Sequence, residues 1–109
     1  MIFETLHESS QKGELLLIDG GFCHWHKRRD GQITIREIIS QRPGAGSEML
    51  TYLKSQKPLS IFAKCPVELS ANDWYKKRGF ILEATSKTKT GRKLNHWRLK
   101  LCDGQLPIF

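Results

Sequence analysis

The sequence has 109 residues, enough for one small domain with a single core. Lysine and arginine total 18 against 11 aspartates and glutamates, and the resulting net charge of +7 favours anionic partners such as nucleic acid, an acidic protein or a phosphate-rich cofactor. No apolar run nears the roughly 20 residues of a membrane-spanning helix, and no repeat or low-complexity tract appears.

In chain order, residues 1–11 are read as one or two helical turns. Residues 14–19 form an apolar strand around Leu15, Leu16, Leu17 and Ile18, ended by Gly20-Gly21. A second strand covers residues 22–27, and Arg29-Asp30-Gly31 is a hairpin signal because Asp-Gly tolerates the positive φ of a tight turn. Residues 32–40 are the clearest strand, with Ile33, Ile35, Ile38 and Ile39, and are followed by Pro43-Gly44-Ala45-Gly46. From Ser47 the period becomes helical through Met49, Leu50 and Leu53, and the helix stops before Pro58. A short strand over 59–63 precedes Pro66. Ser70 or Asn72 caps a helix reaching about Arg78, and Gly79 stops it. Strands over 80–84 and 94–101 follow; in the second, Trp97, Leu99 and Leu101 alternate with His96, Arg98 and Lys100. The expectation is one α+β domain over 1–109 with a mixed sheet of six or seven strands, and a loose tail at 103–109.

Cations cluster at Lys27-Arg28-Arg29, at Lys76-Lys77-Arg78 and between Lys87 and Lys93. No zinc-finger spacing, RNA-binding aromatic signature or zipper heptad accompanies them, so charge names a ligand class and no ligand. The three scattered cysteines, Cys23, Cys65 and Cys102, argue against a disulfide framework and fit a reducing cytoplasm. The first ten residues carry Glu4 and Glu8 and lack a basic-then-apolar signal pattern. Cys23, His24 and His26 alternate on a strand, which separates the thiol from the imidazoles, so no metal is expected. The histidines are expected on a binding face or in solvent. Cys65 reads as a half-buried structural thiol, and Trp25, Trp74 and Trp97 as core or rim residues.

The segment richest in chemistry is Gln41-Arg42-Pro43-Gly44-Ala45-Gly46, between a strand and a helix. Gly44 and Gly46 allow a tight turn and let an anion approach the backbone. The first amides of the next helix and its dipole form a phosphate cradle, to which Arg42 adds charge. The pattern is neither a Walker loop nor a dinucleotide fingerprint. Glu37 is the candidate base. Strict alternation puts Ile33, Ile35, Glu37 and Ile39 on one face, and a desolvated carboxylate is a better proton acceptor near neutral pH. The alternatives are an ion pair with Arg36 or Arg98, or a bulge that turns the carboxylate outward.

Some thirty residues on stands Asn72-Asp73-Trp74-Tyr75-Lys76-Lys77-Arg78-Gly79-Phe80. Together the two segments resemble the Gcn5-related N-acetyltransferase (GNAT) superfamily, in which a Q/R-x-x-G-x-G/A turn binds the pyrophosphate of acetyl-coenzyme A (acetyl-CoA). A later helix of that family ends in a tyrosine, a basic turn and Gly-Phe. Gln41, Gly44 and Gly46 match the first motif; Tyr75, Gly79 and Phe80 match the second. The chain also looks like short GNAT-like proteins of bacteriophage genomes.

The resemblance implies a GNAT-like, mostly antiparallel sheet with helices on both faces, shortened at the N-terminus. It implies acetyl-CoA as cosubstrate, held by Gln41, Arg42, Gly44, Ala45, Gly46 and Ser47, by the backbone of Ile38, Ile39 and Ser40, and by Asn72 and Tyr75. Tyr75 resembles the family tyrosine that protonates the coenzyme A sulfur. The activity implied is acetyl transfer to a primary amine. The space before Glu14 holds one small helix at most, which suits a large acceptor, and small sheets of this kind often pair as homodimers. The competing function is a binding protein that keeps the fold without catalysis and docks on nucleic acid or a host protein. The shortened N-terminus and the basic clusters motivate it.

Overall fold

The structure, a computed structural model, describes residues 14–101. Six strands form one sheet in the order β1-β2-β3-β4-β6-β5. They are β1 Leu15–Ile18, β2 Gly21–Lys27, β3 Gln32–Ser40, β4 Ser60–Pro66, β5 Ile81–Lys87 and β6 Lys93–Lys100. Helix α1, Ala45–Ser55, joins β3 to β4, and helix α2, Ala71–Lys77, joins β4 to β5. Among the described residues only β3 and β4 run parallel; every other neighbouring pair is antiparallel. No helix among the described residues is long and apolar enough to cross a membrane.

Local chemistry sets the turns. The β2–β3 hairpin closes on Gly31 at φ 92, with Gly31 N donating to Arg28 O at 3.1 Å and Asp30 accepting from Gln32 N at 3.1 Å. Helix α2 ends in a Schellman arrangement. Gly79 has φ 93, Phe80 N donates to Tyr75 O at 3.1 Å, and the Phe80 ring lies 5.1 Å from that of Tyr75. The Tyr-to-Gly-Phe spacing therefore also serves as a helix stop.

Cross-strand partners share a face, so the pairs Trp25–Ile35, Ile33–Ile61, Ile35–Ala63, Ile61–Leu99 and Ala63–Trp97 define one apolar side of the sheet. Both helices cover it. Tyr52 of α1 meets Trp25 edge-on at 6.3 Å, and Tyr75 of α2 stacks on Trp97 at 6.3 Å. Ile33, Met49, Leu53 and Ile61 are fully buried between these layers. The mixed α+β sheet is as expected, and among the described residues both helices lie on this face; the helical turns expected over residues 1–11 and the tail at 103–109 lie outside the described residues.

Strand β3 departs from strict alternation. Ile35 pairs with Trp25 and Glu37 with His24, which leaves Arg36 as an extra, bulged residue. Beyond it the pattern is inverted. Ile38 packs against the core, while Glu37 and Ile39 lie exposed on the far side of the sheet. The expectation that Glu37 shares the apolar face of Ile33 and Ile35 is therefore corrected. The desolvation it required is absent, because one inserted residue reverses the facing of all that follow.

Candidate active site

The bulge has a second effect. Strand β3 pairs with β4 only from Gln32–Ser60 to Ile35–Ala63. Past that point residues 37–40 pair with β2 alone, Arg36 being bulged, and residues 64–66 pair with β6 alone. The two parallel neighbours diverge and leave a gap in the sheet. Gln41 N donates to Gly20 O at 2.7 Å, which fixes the alternation of the antiparallel ladder. It turns the polar backbone of Ile39 toward β2 and that of Ile38 and Ser40 into the gap.

The glycine turn stands at the open end of the gap. Gly44 takes φ 86 and forms the N-cap of α1 without a capping side chain. Ala45 N donates to Arg42 O at 3.2 Å and Glu48 N to Gly44 O at 3.0 Å. Among the described residues no carbonyl accepts from Gly46 N or Ser47 N, so two amides at the positive end of α1 are available to an anion. Arg42 braces the turn. Its Nε donates to Asp19 O at 2.7 Å and its Nη2 to Glu48 Oε2 at 2.8 Å, so Glu48 already neutralises much of the charge expected for a ligand.

Turn, gap and α2 enclose a cleft of about 440 Å³, a size suited to a small organic ligand. Of the residues expected to hold the cofactor, Ile38, Ser40, Arg42, Gly44, Gly46 and Ser47 line it. Ile39 and Gln41 border a smaller hollow beside Gly20 and Phe22, and Ala45 is fully buried. Asn72 is occupied elsewhere: its Nδ2 donates to Pro66 O and Leu69 O, and its Oδ1 accepts from Asn95 Nδ2 and Trp97 Nε1, each at 2.9 Å or less. It locks the loop before α2 onto β6.

Tyr75 is buried among Trp74, Phe80 and Trp97. Burial, then the nearby thiols of Cys65 and Cys23, push its hydroxyl well above the usual tyrosine range, so it holds its proton. Cys65 lies on β4 beyond the last β3–β4 pair, and Cys23 lies opposite Ile38. Neither Tyr75 nor Glu37 is among the residues that line the cleft. The Cys23 thiol itself is pushed up to about 12 by burial.

Pro43 of the glycine turn also lines the cleft, as do Ser70, Ala71, Trp74 and Arg78, which sequence reasoning missed. The sequence alone reads Trp74 as a core or rim residue. A Cβ at Gly46 would lie 3.1 Å from its indole, and Arg78 stacks over the same ring at 5.8 Å. The signal was present in the order of residues: Trp74 and Arg78 are four apart on one helical face. The residues present fit a long, anionic acyl carrier. The two amides would meet a diphosphate, and the unpaired strand backbone would meet an amide-bearing arm.

Neither a protein-family model nor a curated protein matches the chain. Solved structures do. The ribosomal-protein-S18-alanine N-acetyltransferase from Escherichia coli superposes with a TM-score of 0.69 at 18% identity, over 97% of this chain and 82% of that one. Ard1 from Thermoplasma volcanium gives 0.64 at 20% identity, over 74% of this chain and 62% of that one, so the chain spans less than two thirds of its length. The yncA protein from Salmonella typhimurium, solved with its cofactor acetyl-CoA, gives 0.61 at 15% identity over 82% and 62%. The chain thus has the mixed α+β fold of the GNAT acetyltransferases.

Proposed function

We propose that the protein is an acyl-CoA-dependent N-acyltransferase that moves an acetyl group from acetyl-CoA to a primary amine. The observation that supports this most directly is the coincidence, in one cleft, of the diverging β3–β4 seam and the two available amides of Gly46 and Ser47. When bound, acetyl-CoA supplies an acyl thioester. Gly46 and Ser47 bind its diphosphate, the backbone of Ile38 and Ser40 orients its arm, and Trp74 with Arg78 closes the side of the cleft. Tyr75, kept protonated by burial, supplies a proton to the leaving sulfur. Glu37, exposed on the far face one residue beyond the bulge, takes the proton of the incoming ammonium. The reading extends to a cytoplasmic location, supported by the buried free thiols of Cys23 and Cys65.

Thermal melting with acetyl-CoA tests the binding step. At a hundredfold excess over Kd, mass action adds about 2.7 kcal/mol, which raises Tm by on the order of 10 °C in a domain of this size. Mass spectrometry of a bacterial lysate incubated with the protein and isotope-labelled acetyl-CoA then reads the transfer step. An unmoved Tm at millimolar acetyl-CoA, with salt-sensitive binding to DNA or RNA in its place, would favour a non-catalytic binding protein built on the same fold.

A further inference from the structure

The cations of the chain are unevenly balanced. Arg28 meets Asp30 at 2.6 Å, Arg42 meets Glu48 at 2.8 Å and Arg98 meets Glu83 at 2.7 Å. The hairpin that joins β5 to β6 is different. Lys87, Lys89, Arg92 and Lys93 all lie exposed within seven residues, and among the described residues one carboxylate answers them, Glu68 on Arg92 at 2.8 Å. Lys87 and Lys93 pair directly across the two strands, a like-charge contact that weakens a ribbon unless something else neutralises it. The tip that holds them is nonetheless firmly built. Thr88 N donates to Arg92 O and Gly91 N to Thr88 O, each at 2.9 Å, while Arg92 N donates to Thr88 Oγ1 at 3.1 Å and Gly91 takes φ 89. Residues 87–93 thus form a fixed two-stranded ribbon whose net charge, counting Glu68, is 4 − 1 = +3. It begins one rung beyond Pro66, Leu94 and Ser86, the last rung on the β4 side of the gap.

We propose that this ribbon is a docking surface for duplex DNA, held through its phosphates. Composition selects among the polyanions. Residues 85–93 offer cations, hydroxyls and a glycine, with no apolar side chain among them. An acidic protein is held through a buried aromatic or aliphatic anchor, which the tip lacks. Phosphates are held by lysine, arginine, serine and threonine side chains and by backbone N–H groups. A single strand stacks its bases on aromatic rings, and residues 85–93 contain none. A two-stranded ribbon enters the major groove of B-form DNA, whereas that of duplex RNA is too narrow to admit it. Contact with phosphates is independent of sequence and sensitive to salt. Each phosphate neutralised adds about −0.9 to the slope of log affinity against log salt, so the three lysines and Arg92 give a slope of about −3 to −4. The inference does not rest on the transferase reading.

The test is fluorescence anisotropy with a labelled DNA duplex of mixed sequence. Wild-type affinity should fall about a hundredfold between about 50 and 200 mM salt. The triple variant Lys87→Gln, Lys89→Gln, Lys93→Gln should bind at least about tenfold more weakly at the low-salt end and flatten the slope by nearly 3 units, at about 0.9 per lysine. A control, Arg29→Gln, Lys54→Gln, Lys57→Gln, removes the same charge from exposed positions elsewhere and should bind within about twofold of the wild type, since screening confines exposed charges to short range. A second readout needs no variant: amide NMR shifts on adding the duplex should concentrate at residues 86–93. A triple variant with wild-type affinity and slope, equal losses in the two variants, or shifts centred elsewhere would overturn the proposal. So would duplex RNA or poly-L-glutamate bound as tightly as the DNA. DNA binding in protein whose Tm acetyl-CoA does not move overturns the transferase reading and leaves this inference standing. Acetyl-CoA binding without DNA binding does the reverse.

Discussion

The two halves of the β3–β4 seam are made from the same strands and do opposite things. In the first half, residues 32–35 give their backbone groups to β4, and Ile33, Ile35, Ile61 and Ala63 are buried against each other and the helices. In the second half, residues 38 and 40 turn the same kinds of groups toward open space, and Glu37, Ile39 and Ser40 are exposed. Composition does not separate the halves, since both are rich in isoleucine. One inserted residue, Arg36, does. A sheet holds strands together by pairing every backbone group, and it offers a ligand backbone groups only where that pairing is deliberately broken.

The largest effect that sharpens this contrast is on stability. Ile61→Ala removes a fully buried side chain from the paired half and should cost about 2–5 kcal/mol, read as a drop in denaturation midpoint. Ile39→Ala in the open half, where the side chain is 44% exposed, should cost less than about 1 kcal/mol. Equal losses would mean that the second half is as tightly held as the first.

Next comes the turn at the mouth of the gap. Gly46→Val places its Cβ 3.1 Å from the Trp74 indole, which has little room to retreat between the turn and α2. Overpacking of this kind costs about 1–3 kcal/mol, and it should also abolish the acetyl-CoA melting shift, because the displaced ring enters the cleft. A variant that melts lower yet keeps the full ligand shift would detach Gly46 and Trp74 from binding.

Much of this was legible in the sequence, and the failures share a cause. Strand β3 and the hairpin at Gly31 followed from isoleucine density and the Asp-Gly turn, and the stop of α2 from Gly79. The glycine turn was found because glycines before a helix have a local physical meaning. The facing of Glu37 stayed open between strict alternation and an outward-turning bulge, because a bulge is decided by how two strands meet, and Arg36 carries no local mark of being the extra residue. Asn72 was given to the cofactor on resemblance. Its polar atoms are taken by Pro66, Leu69, Asn95 and Trp97, and three of those four lie in other strands. Trp74 was underrated for a similar reason, since its partner Gly46 is distant in sequence.

Deletion of Arg36 tests the contrast more directly at smaller energetic cost. Removing the bulged residue leaves Ile35 opposite Trp25 and Glu37 opposite His24, so every side chain keeps its face. The strand then runs straight, and residues 37–40 can continue the parallel pairing with β4. Stability should stay within about 1 kcal/mol of the wild type or rise, since ladder hydrogen bonds are added. The acetyl-CoA melting shift should vanish because the backbone of Ile38 and Ser40 is no longer available. Retained binding in the deletion variant would show that the gap is incidental to the ligand.

The smallest effect is a pH dependence on the far face of the same seam. Burial and Arg36 lower the pKa of His24 from its ordinary 6.5. As pH falls through 6.5, the unfolded chain binds a proton on this imidazole while the folded protein does not yet do so. The unfolded state then holds more protons, and stability declines with falling pH until the folded-state pKa is passed. The stabilising contribution of a neutral His24 is therefore complete above the ordinary pKa of 6.5 and lost progressively as pH falls below it. Urea denaturation of the wild type and His24→Gln at pH 7.5 and 5.5 measures it, and the variant should lose less stability between the two. An equal loss in both proteins would mean that His24 titrates as it does in the unfolded chain, and that the far face is as open to water behind Glu37 as it is in front.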